Sequence, residues 1–185
     1  MDLDLYVNSI KDHFKIKFIE IHLKNEFGSV NKNYREKIRQ NIVDNFSSLL
    51  STWEKKSILN LALIPSAENL FFSISHAKSI GGYLAAGQKS GFDIEELSRI
   101  SDDVIERTCS NEEISTCPNI KFLWGAKESA FKTIFNLKTM SDVKISNWTE
   151  VSPELFSFSA NNGSRGLLAQ LKIDQAEYII SFCTA

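Results

Sequence analysis

Near the start of the chain, hydrophobic and polar side chains alternate. Ile19, Ile21 and Leu23 are separated by Glu20 and His22. Successive side chains of a β-strand point to opposite faces, so this alternation is typical of a strand with one buried face. The pattern predicts an early strand that packs on a core through its isoleucine and leucine side chains.

The next hydrophobic positions follow a helical period. Tyr34, Ile38, Ile42, Phe46 and Leu50 recur at every fourth position, with charged residues between them. Residues four apart lie on one face of an α-helix, so the spacing predicts an amphipathic helix from residue 34 to residue 50. We expect its apolar face to cover a sheet.

The middle of the chain returns to strand patterns. Segments 70–76 and 83–86 are rich in aromatic, branched and small apolar residues, and the polar turn 87–91 leads into segment 92–95. Such segments separated by glycine-containing turns predict neighbouring strands. We therefore expect a meander that ends at residue 95.

Helical signals follow this meander. The polar segment 101–115 is compatible with a helix, and Pro118 with Asn119 interrupts the pattern before a second, stronger helix over residues 121–135. Proline lacks the backbone donor that a helix interior needs, so a break at this position is expected.

The C-terminal third predicts antiparallel hairpins. Residues 155–158 form an apolar run, the Asn-Asn-Gly turn follows at 161–163, and apolar positions continue through 167–173 and 178–182. Apolar runs joined by such a turn are a hairpin signal. The whole element order indicates an α+β fold of two similar halves with antiparallel sheets, residues 1–86 and 87–185.

Composition narrows the class of protein. The 185 residues are 43% hydrophobic and 24% charged, with a formal net charge of −2. This balance is typical of a soluble globular protein and offers no general basic field for nucleic acid. No apolar run reaches the roughly 20 residues that a membrane-spanning helix needs.

The three cysteines suggest a compartment. Cys109, Cys117 and Cys183 are odd in number and lack the spacing of a paired motif, and no secretory signal precedes them. Disulfides are rare in reducing compartments. We therefore expect reduced thiols in a cytoplasmic protein.

Candidate chemistry is concentrated in two segments. Asp93 and Glu95 point to the same face of a strand, and Glu128 lies on the following helix near Lys127 and Lys132. Magnesium takes one or two protein carboxylates together with phosphate oxygens, and lysines can frame a pyrophosphate as point charges. The alternatives are solvated strand polarity for the two strand carboxylates and an exposed ion pair for Glu128 and Lys132.

A third segment adds a possible phosphate contact. Ser75 and His76 stand at the end of a predicted strand, where a hydroxyl and an imidazole can both bond to phosphate oxygen. A structural role for this histidine is the alternative.

In order and spacing, three segments together resemble the 4′-phosphopantetheinyl transferases. They are FSISH at 72–76, GFDIE at 91–95 and WGAKESAFK at 124–132, which contains Lys127 and Glu128. About 90 residues precede the aspartate motif, so the chain is similar to a compact member of the Sfp type. That resemblance implies a monomeric pseudo-dimer with coenzyme A in the cleft between two α+β halves.

The resemblance also implies roles for individual residues. Asp93, Glu95 and Glu128 would hold Mg²⁺ on the pyrophosphate of coenzyme A. Glu128, or a water near the metal, would accept the proton of a serine on an apo acyl or peptidyl carrier protein, and Lys132 would assist departure of adenosine 3′,5′-bisphosphate. Asp93, Glu128 and Lys132 are therefore the expected catalytic residues. The residues expected to bind coenzyme A are Ser75, His76, Lys127, Lys132, Arg35 and Arg39.

Further expectations depend on the same resemblance. Lys37 is a third basic candidate on the first helix, and Glu113 would be an auxiliary acid. Five lysines between Lys121 and Lys144 make that region a candidate docking surface for an acidic carrier protein. The alternatives to a transferase are a non-catalytic module that binds coenzyme A or a carrier protein, and a magnesium-dependent phosphotransferase with another nucleotide.

Overall fold

The computed structural model describes residues 1–133 and 139–185, which contain six α-helices and eight β-strands. The helices are Leu3–Phe14 (α1), Tyr34–Asn45 (α2), Thr52–Leu59 (α3), Asp102–Thr108 (α4), Asn111–Thr116 (α5) and Phe122–Lys132 (α6). The strands are Ile19–Lys24 (β1), Phe71–His76 (β2), Gly81–Ala86 (β3), Ser90–Glu96 (β4), Ile145–Ser152 (β5), Leu155–Ala160 (β6), Arg165–Ile173 (β7) and Ala176–Thr184 (β8). No helix in these two ranges has the length and apolar character needed to cross a membrane.

Most predicted elements are present, with differences at their ends. The alternating segment forms β1, and the predicted C-terminal hairpin strands form β6, β7 and β8. Helix α2 is shorter than predicted because it ends at Asn45, although Phe46 and Leu50 are buried in the same cluster as its apolar face. Helix α6 ends at Lys132, and Phe135, its predicted last residue, lies outside the described residues.

The segment predicted as one helix over 101–115 forms two helices. Ser110 accepts a hydrogen bond from the backbone N–H of Glu113, and the Glu113 side chain accepts one from the backbone N–H of Ser110. This reciprocal capping box satisfies donors that a new helix start leaves free. The chain therefore stops α4 at Thr108 and begins α5 at Asn111.

Three elements were not among the predictions: α1, α3 and β5. Helix α1 had a readable signal, because Asp2 caps its first turn and its two buried residues, Tyr6 and Ile10, are four apart. Helix α3 also begins with a capping box, formed by Ser51 and Glu54. Capping residues followed by helical spacing were sufficient evidence for both helices.

The strands form two antiparallel sheets, with orders β1-β3-β2 and β4-β8-β7-β6-β5. The fold is therefore α+β with antiparallel sheets. The predicted meander is wrong at its last strand, because β4 leaves β3 and pairs with β8 instead. One feature occurs in both sheets: a strand is followed by helices, and the second strand of a later hairpin pairs with that first strand. In the larger sheet, β5 and β6 lie in sequence between the helices and this hairpin.

The two sheets meet where β2 runs beside β4. The hydroxyl of Ser73 accepts a hydrogen bond from the backbone N–H of Phe92 at 3.0 Å, and that of Ser75 accepts one from Ile94 at 3.3 Å. These serines satisfy backbone donors on β4 that face the edge of the first sheet. The arrangement fixes the end of β2 against the middle of β4.

Three apolar clusters hold the layers together. The first lies between the two sheets and includes α1, the second joins α6 to the outer face of the larger sheet, and the third joins α2 and α3 to the outer face of the smaller sheet. Strand β3 shows the alternation: Leu84 faces the first cluster, and Tyr83 and Ala85 face the third. As predicted, α2 covers a sheet.

Helix α6 approaches β4 unusually closely at Gly91. A Cβ atom at that position would lie only 1.9 Å from the carbonyl oxygen of Ser129, so any larger residue would force the helix away. Beside it, the hydroxyls of Ser129 and Ser181 are 2.7 Å apart. This contact brings the helix that carries Glu128 directly over the strand that carries Asp93.

Candidate functional site

Asp93 lies at the centre of the candidate site and is only 2% exposed. Its Oδ1 atom accepts hydrogen bonds from Ser75 Oγ at 2.7 Å and from Lys132 Nζ at 2.9 Å. Its Oδ2 atom is buried and has no hydrogen-bond partner within the described residues. Buried polar atoms are nearly always paired, so an open carboxylate oxygen at this position indicates a site for a ligand.

Lys132 connects the helix to the strand. Besides Asp93, its ammonium group donates to the carbonyl oxygen of Phe92 at 3.0 Å and lies 3.8 Å from Glu128 Oε2. Its shortest ion pair is therefore with Asp93 on β4, rather than with Glu128 one turn earlier on α6. The exposed helical ion pair considered from the sequence does not describe this lysine.

Glu95 and Glu128 complete the acidic cluster. Burial, and then the negative charge of Asp93, raise the pKa of Glu95 to about 7, although a hydrogen bond from Trp124 Nε1 at 3.3 Å opposes the rise. Burial also raises the pKa of Glu128, against the attraction of Lys132. The Trp124 contact was not predicted, and it makes the tryptophan a positioning residue for Glu95.

The donor set is compatible with a magnesium ion. Within the described ranges, no three His, Cys, Asp or Glu side chains already converge closely enough to hold a metal. Magnesium does not require a complete protein cage, because substrate phosphates and water supply the other ligands. Asp93 Oδ2 lacks a hydrogen-bond partner within the described residues and could serve as one such ligand, with Glu95 and Glu128 as neighbouring carboxylates.

Glu95 gives the metal-free protein a testable pH dependence. Its pKa rises from 4.5 in the unfolded chain to about 7 in the folded protein, so stability falls as pH rises through this window. Glu95→Gln should therefore stabilise the protein by about 2 to 3 kcal/mol at pH 8 and by little at pH 4. Urea unfolding of both proteins at several pH values, with a chelator present, measures this difference. An equal stability difference at every pH would contradict it.

His76 is held at the end of β2 by α2. Its Nε2 atom is 3.0 Å from the hydroxyl of Tyr34, and the same hydroxyl accepts a hydrogen bond from Arg35 Nε at 3.0 Å. Burial, followed by the positive charges of Arg35 and Lys132, lowers the pKa of His76. This shift favours the neutral imidazole, which has one donor and one acceptor nitrogen, and Nε2 is the nitrogen that faces Tyr34.

A cleft of about 520 Å³ extends from this cluster, lined by residues of α2, β2, α6 and segment 61–65. Arg35, His76 and Lys132 supply its cationic and polar groups, whereas Phe72 and segment 61–65 supply apolar surface. Small-molecule sites commonly combine a mainly apolar wall with a few polar groups in this size range. The cleft joins the two halves of the chain.

Arg39 lines the same cleft but is used by the protein itself. Its guanidinium donates to the backbone carbonyls of Ile58, Asn60 and Leu63. It is 8% exposed and holds the wall of the cleft, and its predicted role in binding coenzyme A stays a prediction. Arg35 is exposed and available, whereas Lys37 is an exposed residue outside the cleft.

Lys127 lies away from the candidate site. Its side chain is completely buried, and its ammonium group is 2.8 Å from Glu113 Oε1 and also donates to the carbonyl oxygen of Val143. The structure therefore does not bring Lys127 to the acidic cluster, in contrast to its predicted role in binding coenzyme A. Glu113 is likewise buried, in an ion pair with Lys127, and its predicted role as an auxiliary acid stays a prediction. The sequence signal for this structural contact was the Ser-x-x-Glu spacing of the capping box that Ser110 and Glu113 form.

No protein-family model matches this chain, and no curated protein sequence does. The features of the chain that point to a function are therefore those of the site itself: Asp93, Glu95, Glu128 and Lys132 at the end of the cleft.

Proposed function

We propose that this protein transfers the 4′-phosphopantetheine group from coenzyme A to a serine of an apo acyl or peptidyl carrier protein. One observation carries the proposal: three segments distant in sequence meet at the end of one cleft. Ser75 of the first segment and Lys132 of the third both contact Asp93 of the second. The motifs that resemble the 4′-phosphopantetheinyl transferases therefore form one site rather than three unrelated features.

We further propose that the two halves are a pseudo-dimer of the Sfp type. The repeated connection supports this, because β1-β3-β2 and β4-β8-β7 have the same order and antiparallel pairing. Both units contain a strand followed by helices and a hairpin, and the second unit has β5 and β6 in addition. The cleft of about 520 Å³ (the large cleft) lies between α2 of the first half and α6 of the second, which is where a pseudo-dimer would bind its ligand.

Coenzyme A would occupy this cleft with its pyrophosphate at the acidic cluster. Arg35 is exposed beside His76, and both could contact phosphate oxygens. The apolar wall of segment 61–65, which Arg39 holds in place, would cover the nucleoside. The volume of about 520 Å³ is within the range of nucleotide-sized sites.

The transfer is a displacement at phosphorus. The serine oxygen of the carrier forms a bond to the phosphorus that bears pantetheine, and the bond from this phosphorus to the bridging oxygen breaks. Glu128 accepts the serine proton, for which its raised pKa makes it a better base. Lys132 stabilises the negative charge on the departing adenosine 3′,5′-bisphosphate. Positioning and charge neutralisation suffice for this chemistry, so no covalent nucleophile is needed.

Asp93, Glu95 and Glu128 would hold Mg²⁺ against the pyrophosphate. When bound, the ion would neutralise phosphate charge and the mutual repulsion of these carboxylates. This assignment is supported by Asp93 Oδ2, which is buried and has no hydrogen-bond partner within the described residues.

Intact mass spectrometry of a carrier protein tests the proposal. Incubation of the protein with coenzyme A, Mg²⁺ and an apo carrier should add the mass of one phosphopantetheine to the carrier. A panel of carriers from fatty-acid, polyketide and peptide synthesis is needed, because the site does not distinguish them. Coenzyme A binding by calorimetry without any mass gain would instead support a binding module. Transfer from a different nucleotide would support the general phosphotransferase.

A further inference from the structure

A second, smaller cavity of about 210 Å³ adjoins the acidic cluster. It is lined by Ser29, His76, Ala77, Lys78, Glu95 and Arg99. Among the described lining residues, only His76 also lines the large cleft. Glu95 faces the small cavity, whereas Lys132, which contacts Asp93, faces the large one. The acidic cluster therefore lies between two openings.

Exposed cations flank the small cavity from both halves of the chain. Lys78 lies in the turn between β2 and β3, and Arg99 ends the short helical turn Leu97–Arg99 that follows β4. Both side chains are exposed, and no ion pair to either is found within the described residues. Two such cations beside a cavity favour a negatively charged partner.

The surface beside these cations also has an apolar component. Val30 is 61% exposed, and its backbone N–H donates to the carbonyl oxygen of Lys78 at 3.1 Å. The preceding residue, Ser29, donates in the same way to Ala77 at 3.0 Å. These two hydrogen bonds hold segment 29–30 against the β2–β3 turn. The result is a fixed surface with both apolar and cationic groups, as protein interfaces commonly have.

The geometry of phosphoryl transfer links this surface to the proposed function. The attacking and leaving oxygens lie roughly in line on opposite sides of the reacting phosphorus. A leaving group in the large cleft therefore requires a nucleophile that approaches from the other opening. The small cavity, at about 210 Å³, cannot hold a nucleotide but can admit a side chain.

We propose that Lys78, Arg99 and Val30 form the docking surface for an acidic carrier protein, whose serine enters the small cavity beside Glu95. The proposal rests on the proposed function for the identity of the partner. It replaces the lysine-rich region predicted from the sequence. Of those five lysines, Lys127 is buried and Lys132 lies in the catalytic cluster. The ammonium group of Lys121 donates a hydrogen bond to the backbone carbonyl oxygen of Leu97, and that of Lys144 lies 3.7 Å from Glu113 Oε2. Lys138 lies outside the described residues.

A binding experiment tests this surface independently of catalysis. The probes are an apo acyl carrier protein and an apo peptidyl carrier protein, each with its acceptor serine replaced by alanine. Their affinity is measured by biolayer interferometry for the wild type, for Lys78→Glu/Arg99→Glu and for the control Lys56→Glu/Arg107→Glu. The control changes exposed residues of the same types and alters net charge equally. It therefore separates local docking from a general change in charge.

The docking variant should weaken carrier binding at least about tenfold, whereas the control should leave it nearly unchanged. Binding of the wild type should weaken with added salt more than binding of the variant. Coenzyme A affinity by calorimetry should be equal in all three proteins, because these residues lie outside the large cleft.

Three results would overturn the proposal: no carrier binding by the wild type, equal binding by the docking variant, or loss of coenzyme A affinity in that variant. The last would assign the cavity to coenzyme A. Carrier binding through this surface without transfer to an unmodified carrier would refute the proposed enzyme but retain the docking surface. Transfer to an unmodified carrier, together with unchanged carrier binding by the docking variant, would support the proposed enzyme and refute the docking surface.

Discussion

Lys127→Met is expected to lower the free energy of unfolding by about 3 to 5 kcal/mol, the usual effect of removing one partner from a buried ion pair. The loss arises because Glu113 stays buried after its partner Lys127 is removed. Glu113 is 3% exposed, and although burial alone would raise its pKa, hydrogen bonds from Lys127, Ser110 and Ile145 lower it. Without Lys127, the Glu113 carboxylate stays buried with its main cation gone.

Thermal and urea unfolding measure this loss, which corresponds to a fall in melting temperature of about 6 to 20 °C for a chain of this size. Lys144→Met is the matched control. Its ammonium group lies 3.7 Å from Glu113 Oε2, but its side chain is half-exposed, so removing it should cost less than about 1 kcal/mol. The double variant Lys127→Met/Glu113→Gln should recover part of the loss, because no buried charge is then left unpaired.

The same variant separates two roles for Lys127. At a temperature where Lys127→Met remains folded, its affinity for coenzyme A should stay within about twofold of the wild type, because the side chain lies in the interior between α5, α6 and β5. A selective loss of coenzyme A affinity with normal stability would instead restore the role predicted from the sequence.

Asp93→Asn is expected to lower transfer by about 10³-fold or more while the protein remains folded. The substitution preserves size and leaves an oxygen that can accept from Ser75, but it removes the charge that faces Lys132 and the proposed metal. A metal ion commonly supplies several kcal/mol to a phosphate transition state, and each 1.36 kcal/mol is tenfold in rate.

The rate should be measured from the carrier mass over time, with Asp103→Asn, an exposed aspartate on α4, as the matched control. A second readout does not depend on turnover. With coenzyme A present, Mg²⁺ should raise the melting temperature of the wild type and of the control but not that of Asp93→Asn. Wild-type transfer rates in Asp93→Asn would show that Asp93 is not a metal ligand or catalytic residue.

Much of the local structure could be predicted from the sequence, because helices and strands depend on the short-range periodicity of apolar residues. Strand β1 follows from alternation, and the shared face of Asp93 and Glu95 follows from the two-residue repeat of a strand. The split of segment 101–115 into α4 and α5 was also encoded, in the spacing of Ser110 and Glu113, but a capping box and an acidic active-site residue look alike in a sequence without contacts.

Adjacent residues on α6 show why the site could not be completed from sequence. Lys127 and Glu128 differ by about 100° in direction around the helix, so one can be interior and the other can reach Asp93. Which one does so depends on how α6 lies on β4, and that is set by the contact of Gly91 with Ser129, 38 positions further along the chain. Sequence spacing alone carries no information about this contact.

By itself, the sequence determined the chemistry that is available: three carboxylates, a lysine, a serine and a histidine in three segments of strand or helical character. Only the tertiary structure decided their use. The approach of β2 to β4 places Asp93 beside Ser75, while burial assigns Arg39 to backbone carbonyls and Lys127 to Glu113. The physical reason is that charge and hydrogen-bonding capacity belong to a residue, whereas solvent exposure and choice of partner arise from contacts between distant segments.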